Sequence, residues 1–349
     1  MPRIKFVDVT FPPHELPTSF DIEARLRQHL QNLRLARVAT KKDLMLSEAD
    51  QLKISRRTES YLTAVARATR MSHLSKEDRR KLEVLRHGAE LRPIESEHHA
   101  DEIASALHAE MPWMAEATER VWQEMRASVR NGDPAPLLKP LLLVGPPGIG
   151  KSFWARLLAE KLSVPTTIIE ATGEPAAFSV VGTQRGWSTA GPGKPLDGIM
   201  STGVANPVII IDEVEKAGLV VSNKGQRFSL SEGMLPLLER LTAAKWACPY
   251  FRVSFDMSWI TWVMTANSLD GLPAPFLSRC PPMQLSALSK SDLLGFAIRE
   301  GSRRALPDDA LDAVLEVINV LEVKQMVSLR SVVRMLDAAD VAINRPFLH

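Results

Sequence analysis

The sequence predicts an α/β chain: a doubly wound parallel sheet, preceded by a basic helical region and followed by a small helical domain. Three observations predict it. Leu141-Leu142-Leu143-Val144, Val208-Ile209-Ile210-Ile211 and Trp262-Val263-Met264 are short continuous apolar runs, the pattern of strands covered on both faces. Stretches of helical period alternate with them. Beyond Pro281-Pro282 only helical patterns remain.

Taken in order, residues 1–20 contain Pro2, Pro12, Pro13 and Pro17, which fix the backbone and remove donors, so an extended arm is expected. Ile22, Leu26, Leu30 and Leu33 then recur at helical spacing, and Ser75 with Asp78 resembles a capping box opening a helix through Leu82 and Leu85. Gly88 to His99 reads as a linker. Ala100–Glu110 and Trp113–Val129 form a helical pair broken at Pro112 and lead into the first strand. After the sheet, Ser289–Arg304, Asp308–Leu321 and Leu329–Ile343 read as helices. The expected division is 1–98, a basic and mostly helical region; 99–282, the α/β domain; and 283–349, the helical domain.

The chain has 349 residues, 45% of them hydrophobic, enough for two or three domains with a sizeable core. Its formal charge of +2 argues neither for a polyanion-coating protein nor for an acidic tail, but residues 21 to 92 carry 17 Lys or Arg against 10 Asp or Glu. The two cysteines, Cys248 and Cys280, form no CxxC pair, which fits a reducing cytoplasm. No apolar stretch approaches the roughly 18 residues of a membrane span, and Met1–Pro13 lacks the apolar core of a signal peptide.

Gly145-Pro146-Pro147-Gly148-Ile149-Gly150-Lys151-Ser152 follows the first strand. Glycines there let backbone N–H groups approach phosphate oxygens, and the helix that opens adds its positive end. Lys151 would bridge the β and γ phosphates of ATP, and the Ser152 hydroxyl would coordinate Mg2+. Asp212-Glu213 ends the second apolar run, 61 residues after Lys151, placing two carboxylates at the carboxyl end of a buried strand where such sheets bind ligands. Asp212 would hold the magnesium and its water, and Glu213 would act as general base. Asn267, after the third run, is placed to orient the attacking water. Set against these, His98-His99 reads as a solvated helix start rather than a metal pair, and Cys280 as a small packing residue.

Together, Gly145 to Ser152, Ile211-Asp212-Glu213-Val214-Glu215-Lys216, Thr265-Ala266-Asn267-Ser268-Leu269-Asp270 and Pro273-Ala274-Pro275-Phe276-Leu277-Ser278-Arg279 resemble the ATPase module of Lon proteases in the AAA+ superfamily. Gly182 to Val208, with Gly191-Pro192-Gly193 and Asn206-Pro207-Val208, matches the same pattern without gaps. The resemblance covers roughly residues 110 to 340. It implies a P-loop AAA+ fold with a helical lid, Asn267 as sensor 1, and Arg279 as the arginine finger reaching a neighbouring subunit. It also implies Arg330 as the sensor 2 arginine, with Arg334 its competitor. Trp187 falls at the pore-loop aromatic, although Ser188 stands where the family has an aliphatic residue. Trp113 and Met114 lie near where such proteins seat adenine, but core packing is the preferred reading for them.

Only 19 residues follow Arg330, too few for the Ser-Lys peptidase domain of Lon. The expectation is therefore a cytoplasmic ATP hydrolase forming a ring, as a homo-oligomer and most simply a hexamer, that remodels or unfolds a protein client, with a separate peptidase a conceivable partner. Two alternatives stand beside it. One is a loader or helper that engages nucleic acid through the basic region; the other is an ATP-gated adaptor with negligible turnover.

Overall fold

The computed structural model describes residues 1–12, 17–36, 46–172, 176–185, 190–218, 220–221, 227–320 and 328–344. They divide into two compact units, Val7–Arg86 and the remainder, which joins Met1–Phe6 to His87–His349.

The first unit is helical. α1 (Ser19–Leu35) and α2 (Glu48–Ala68) each begin with a complete capping box, Thr18 with Asp21 and Ser47 with Asp50. These reciprocal bonds satisfy N–H groups that have no partner within the helix. α3 (Lys76–Glu83) starts where Ser75 accepts from the Asp78 N–H at 3.1 Å. Arg34 on α1 pairs with Asp50 on α2 at 2.6 Å. Ile22, Ile54, Met71, Leu74, Leu82 and Leu85 supply a small buried core.

The second unit holds a five-stranded sheet made of β1 (Leu141–Val144), β2 (Thr166–Glu170), β3 (Val208–Asp212), β4 (Thr261–Ala266) and β5 (Pro282–Gln284). Every pairing is parallel, in the order β5-β1-β4-β3-β2. That arrangement is consistent with a P-loop AAA+ fold. β1 and β4 are buried throughout and β3 until Asp212, as continuous apolar runs require. β2 lies at the edge, so only Ile169 along it is fully covered.

Around the sheet lie α4 (Glu97–Glu110), α5 (Ala115–Asn131), α6 (Lys151–Lys161), α7 (Ala176–Val181), α8 (Lys194–Thr202), α9 (Leu230–Leu238), α10 (Arg240–Ala243) and α11 (Ala274–Arg279). Pro112 begins a 3-10 turn, Pro112–Met114, between α4 and α5. Trp154 of α6 is fully buried and donates through Nε1 to Thr118 on α5 at 3.0 Å, so the helix after the glycine loop is fixed by packing and by a satisfied polar tip. α12 (Lys290–Arg303), α13 (Asp308–Val320) and α14 (Leu329–Ile343) pack as a helical group. Their Leu293, Val314, Leu329 and Leu336 belong to one apolar cluster with Leu141, Leu143 and Ile149. Burial of side chains of this size stabilises by about 1.5–3 kcal/mol each. Arg303 adds a two-pronged bond to Glu110 on α4, at 2.8 Å to each oxygen.

The tract that reads as a linker is ordered differently. Ala89–Glu90 is a short strand paired antiparallel with Arg3–Ile4, and α4 begins at Glu97. The Glu90 N–H donates to Gly203 O, its carbonyl accepts from Ala205, and the backbone of Arg92 exchanges two bonds with the Asn206 side chain. Phe6 is buried against Phe255. Among the described residues no helix is long and apolar enough to cross a membrane.

Candidate nucleotide site

Strand register assembles the site. Ala266 is level with Val144, and Met264 with Ile211. The residues that follow, Asn267, Gly145 and Asp212 with Glu213, therefore emerge at one edge of the sheet, the carboxyl edge where open α/β sheets bind ligands. A cavity of about 590 Å³ opens there, lined by Gly148, Lys151, Ser152, Asp212, Glu213 and Asn267, and on its far side by Phe296, Arg303, Leu329 and Arg330.

The turn from β1 into α6 needs left-handed backbone at two places, Gly148 with φ 78° and Gly150 with φ 93°. A Cβ built on Gly148 would stand 2.3 Å from the Ser328 Cβ just ahead of α14, and one on Gly150 would stand 2.6 Å from the Met111 methyl and 2.9 Å from Leu329 Cδ1. A side chain at either position would strain the backbone, and at Gly148 it would also be obstructed. Gly145 and Ile149 are buried, Pro146 and Pro147 exposed. The loop's carbonyls are engaged: Gly148 accepts from the Leu329 N–H at 3.0 Å, and Ile149 from the Trp113 indole at 2.9 Å.

Lys151 is 7% exposed. Its Nζ donates to Gly145 O at 2.7 Å, Pro146 O at 3.0 Å and Asn267 Oδ1 at 3.1 Å. Burial pushes its pKa below the usual lysine range, against the attraction of Asp212, Glu215 and Glu213. Ser152 Oγ donates to Asp212 Oδ1 at 2.7 Å, and the Thr265 hydroxyl donates to the same oxygen. Thr265 Oγ1 in turn accepts from the Glu213 N–H at 3.1 Å. Glu213 is left-handed at φ 56°, which turns its side chain out of the strand, and Lys216 pairs with it at 2.8 Å.

A hydroxyl and a carboxylate converging on one point form an oxygen donor set that fits a hard cation such as Mg2+, held by Ser152 and Asp212, where it would neutralise phosphate charge. Lys151, the loop N–H groups and Arg330 would hold the phosphates, and Glu213 with Asn267 would take up and orient a water.

Arg330 lies in the first turn of α14 and lines the cavity; Arg334, one turn on, does not. Arg279, at the end of α11, is also absent from the lining and pairs with Glu239 at 2.7 Å. Met114 is fully buried in the core, and Trp113 stacks edge-on against Phe296. Trp187 lies outside the described residues. His98 is exposed, and Glu102 stands one turn away at 3.3 Å, a pairing that its spacing in the sequence offers. Cys280 is buried, which pushes its thiol up to about 12. Sequence reasoning missed Thr265, Lys216 and the bonds of Glu215, because only the strand register and side-chain direction bring them to the site.

The glycine loop, the acidic strand end and the following Asn coincide with one family. Residues 141–286 match the model of the ATPase family associated with various cellular activities (AAA). This segment is an AAA domain. Lon proteases are similar to it. The chain is 28% identical over 188 residues to Lon protease 2 of Thermus thermophilus, 54% of this chain and 23% of that protein. It is 27% identical over 235 residues to the peroxisomal Lon protease homolog 2 of Arabidopsis thaliana, 66% of this chain and 26% of that protein. It is 34% identical over 146 residues to the Lon protease of Metamycoplasma arthritidis, 42% of this chain and 17% of that protein. The chain thus matches about a quarter or less of the length of these relatives. Membership of the AAA domain in this family supports ATPase activity as its general chemistry.

Proposed function

We propose that the chain is a Lon-related AAA+ ATPase that works as a ring, hydrolysing ATP to remodel or unfold a protein client. The observation that carries this reading is the separation of Arg279 from the cavity that holds Lys151, Glu213 and Asn267. An arginine that completes the site from a neighbouring copy makes turnover depend on assembly, and such an arginine is worth roughly 10³–10⁵ in rate. Arg330 reads the γ phosphate from the helical group. A hexamer is the simplest closed form for such a site, and Trp187 is the proposed grip on the client.

The test is client-stimulated hydrolysis by the full chain. Glu213→Gln should bind nucleotide and not turn over, and Trp187→Ala should lose stimulation. Stimulation unchanged in Trp187→Ala would sink the unfolding reading, while wild-type turnover in Glu213→Gln would sink the ATPase reading.

A second reading has one observation in its favour. Lys53, Arg56, Arg57 and Arg67 on α2 are exposed and make no ion pair among the described residues. If α2 docks nucleic acid, binding should weaken steeply with salt as counterions are released, and a salt-independent or absent gel shift counts against it.

A further inference from the structure

Asn267 is held from behind. Its backbone N–H and its side-chain Nδ2 both donate to Glu215 Oε1, each at 3.1 Å, and Nδ2 also reaches Glu213 Oε1 at 3.3 Å. On the other side, Asn267 Oδ1 accepts from Lys151 at 3.1 Å. A lysine can only donate and a carboxylate acceptor needs a donor, so one orientation of the amide serves Lys151, Glu213 and Glu215 together, and the flipped one loses all three side-chain bonds. Glu215 does not line the cavity, whereas Asn267 and Glu213 do. It sits in the turn Val214–Lys216 that follows the left-handed Glu213, so one short segment carries the base and the group that fixes the base's neighbour. One Glu215 oxygen makes both bonds to Asn267; the other, Oε2, is buried with no hydrogen-bond partner among the described residues. The carboxylate is thus committed to the asparagine.

We propose that Glu215 is the positioning residue of the site. It fixes the Asn267 amide with Oδ1 toward Lys151 and Nδ2 toward Glu213, so that the asparagine presents its donor beside the base where water is to be oriented. Glu215 touches neither nucleotide nor water and acts through Asn267. This rests on the ATPase reading above.

The experiment compares steady-state ATP hydrolysis by the full chain with binding of a fluorescent non-hydrolysable ATP analogue, in Glu215→Ala, Glu215→Gln, Asn267→Ala and the double variant Glu215→Ala/Asn267→Ala. Glu215→Ala should lower kcat roughly 10- to 100-fold, the scale of a misplaced catalytic neighbour, with analogue Kd within about threefold of wild type. Glu215→Gln keeps a carbonyl acceptor and should recover kcat to within about threefold. The double variant should be no slower than Asn267→Ala, because the two residues act as one unit.

Wild-type kcat in Glu215→Ala, a Gln variant as slow as the Ala variant, or losses that multiply in the double variant would each overturn the proposal. Should Glu215→Ala fail to fold, Glu215→Asp takes its place: it keeps the charge, falls one methylene short and carries the same expected loss. If wild type hydrolyses ATP and Glu213→Gln does not, any of these outcomes overturns the role of Glu215 alone. If Glu213→Gln turns over like wild type, the site reading fails and this proposal with it.

Discussion

The Thr265 hydroxyl donates to the Asp212 carboxylate across two adjacent parallel strands, one step beyond the level pair Met264 and Ile211. The same hydroxyl accepts from the Glu213 N–H, so one buried oxygen holds both acidic residues in place. Thr265→Val preserves shape and removes both bonds. The Glu213 N–H loses its acceptor, which costs on the order of 1–3 kcal/mol of stability. Loss of an outer partner of a metal-holding carboxylate weakens metal affinity by about 10–100-fold. Thermal denaturation and a Mg2+ titration of hydrolysis check the two effects separately.

Lys151 makes the stability of the nucleotide-free protein depend on pH. Its folded-state pKa lies below the ordinary 10.5, so between those two values the unfolded chain binds more protons and stability rises with pH. Lys151→Met lacks this slope. The Tm of wild type minus that of Lys151→Met should therefore rise as the pH approaches 10.5 from below. A difference that is flat or falls over this range contradicts the burial of the ammonium.

Arg279 is expected to act across subunits. Arg279→Ala should lower turnover by about 10³ or more, as should Glu213→Gln. Mixing the two inactive proteins should restore part of the activity, since a Glu213→Gln copy can lend its arginine to the intact base of an Arg279→Ala copy. Mixtures as inactive as their components would show that Arg279 serves its own chain through Glu239.

Of the two arginines on α14, Arg330 alone faces the cavity. Arg330→Ala should weaken nucleotide binding or turnover by about 10- to 100-fold, the worth of a charged hydrogen bond, and Arg334→Ala should do neither. Parallel analogue binding and hydrolysis assays decide between them.

Burial raises the Cys248 thiol to about 11 and the Cys280 thiol to about 12. Because the thiolate is the reactive form, neither should alkylate in the native protein at neutral pH, and both should react in guanidinium. Mass spectrometry after iodoacetamide treatment reads this directly.

The three central strands were legible because each is covered on both faces and so reads as an unbroken apolar run. The outer two were not. β2 is only two-fifths apolar, Thr-Thr-Ile-Ile-Glu, with Thr166, Ile168 and Glu170 exposed at its edge position, and β5 is three residues beginning at Pro282, which reads as a boundary. Gly145 to Ser152, Asp212, Glu213 and Asn267 were legible because phosphate chemistry demands those residue types after buried strands. The parts of Thr265, Glu215, Lys216 and Glu239 were not, since each depends on which side chain a register or a turn brings opposite. Arg3–Ile4 with Ala89–Glu90 joins two-residue strands too short to show any period, across more than eighty intervening residues.

That last pairing has an architectural consequence. Ile4 and Ala89 are level partners in an antiparallel ribbon, so Val7–Arg86 departs from and returns to adjacent points of the AAA-bearing unit. It is an insert, spliced into a hairpin, rather than an extension. A short glycine-containing turn in place of residues 7–86 should close that hairpin and leave the Phe6–Phe255 contact intact, whereas cutting the chain back to residue 87 would strip out a strand and a core phenylalanine. The helical unit is in that sense a cassette, open to exchange for another without redesign of the unit that carries the sheet.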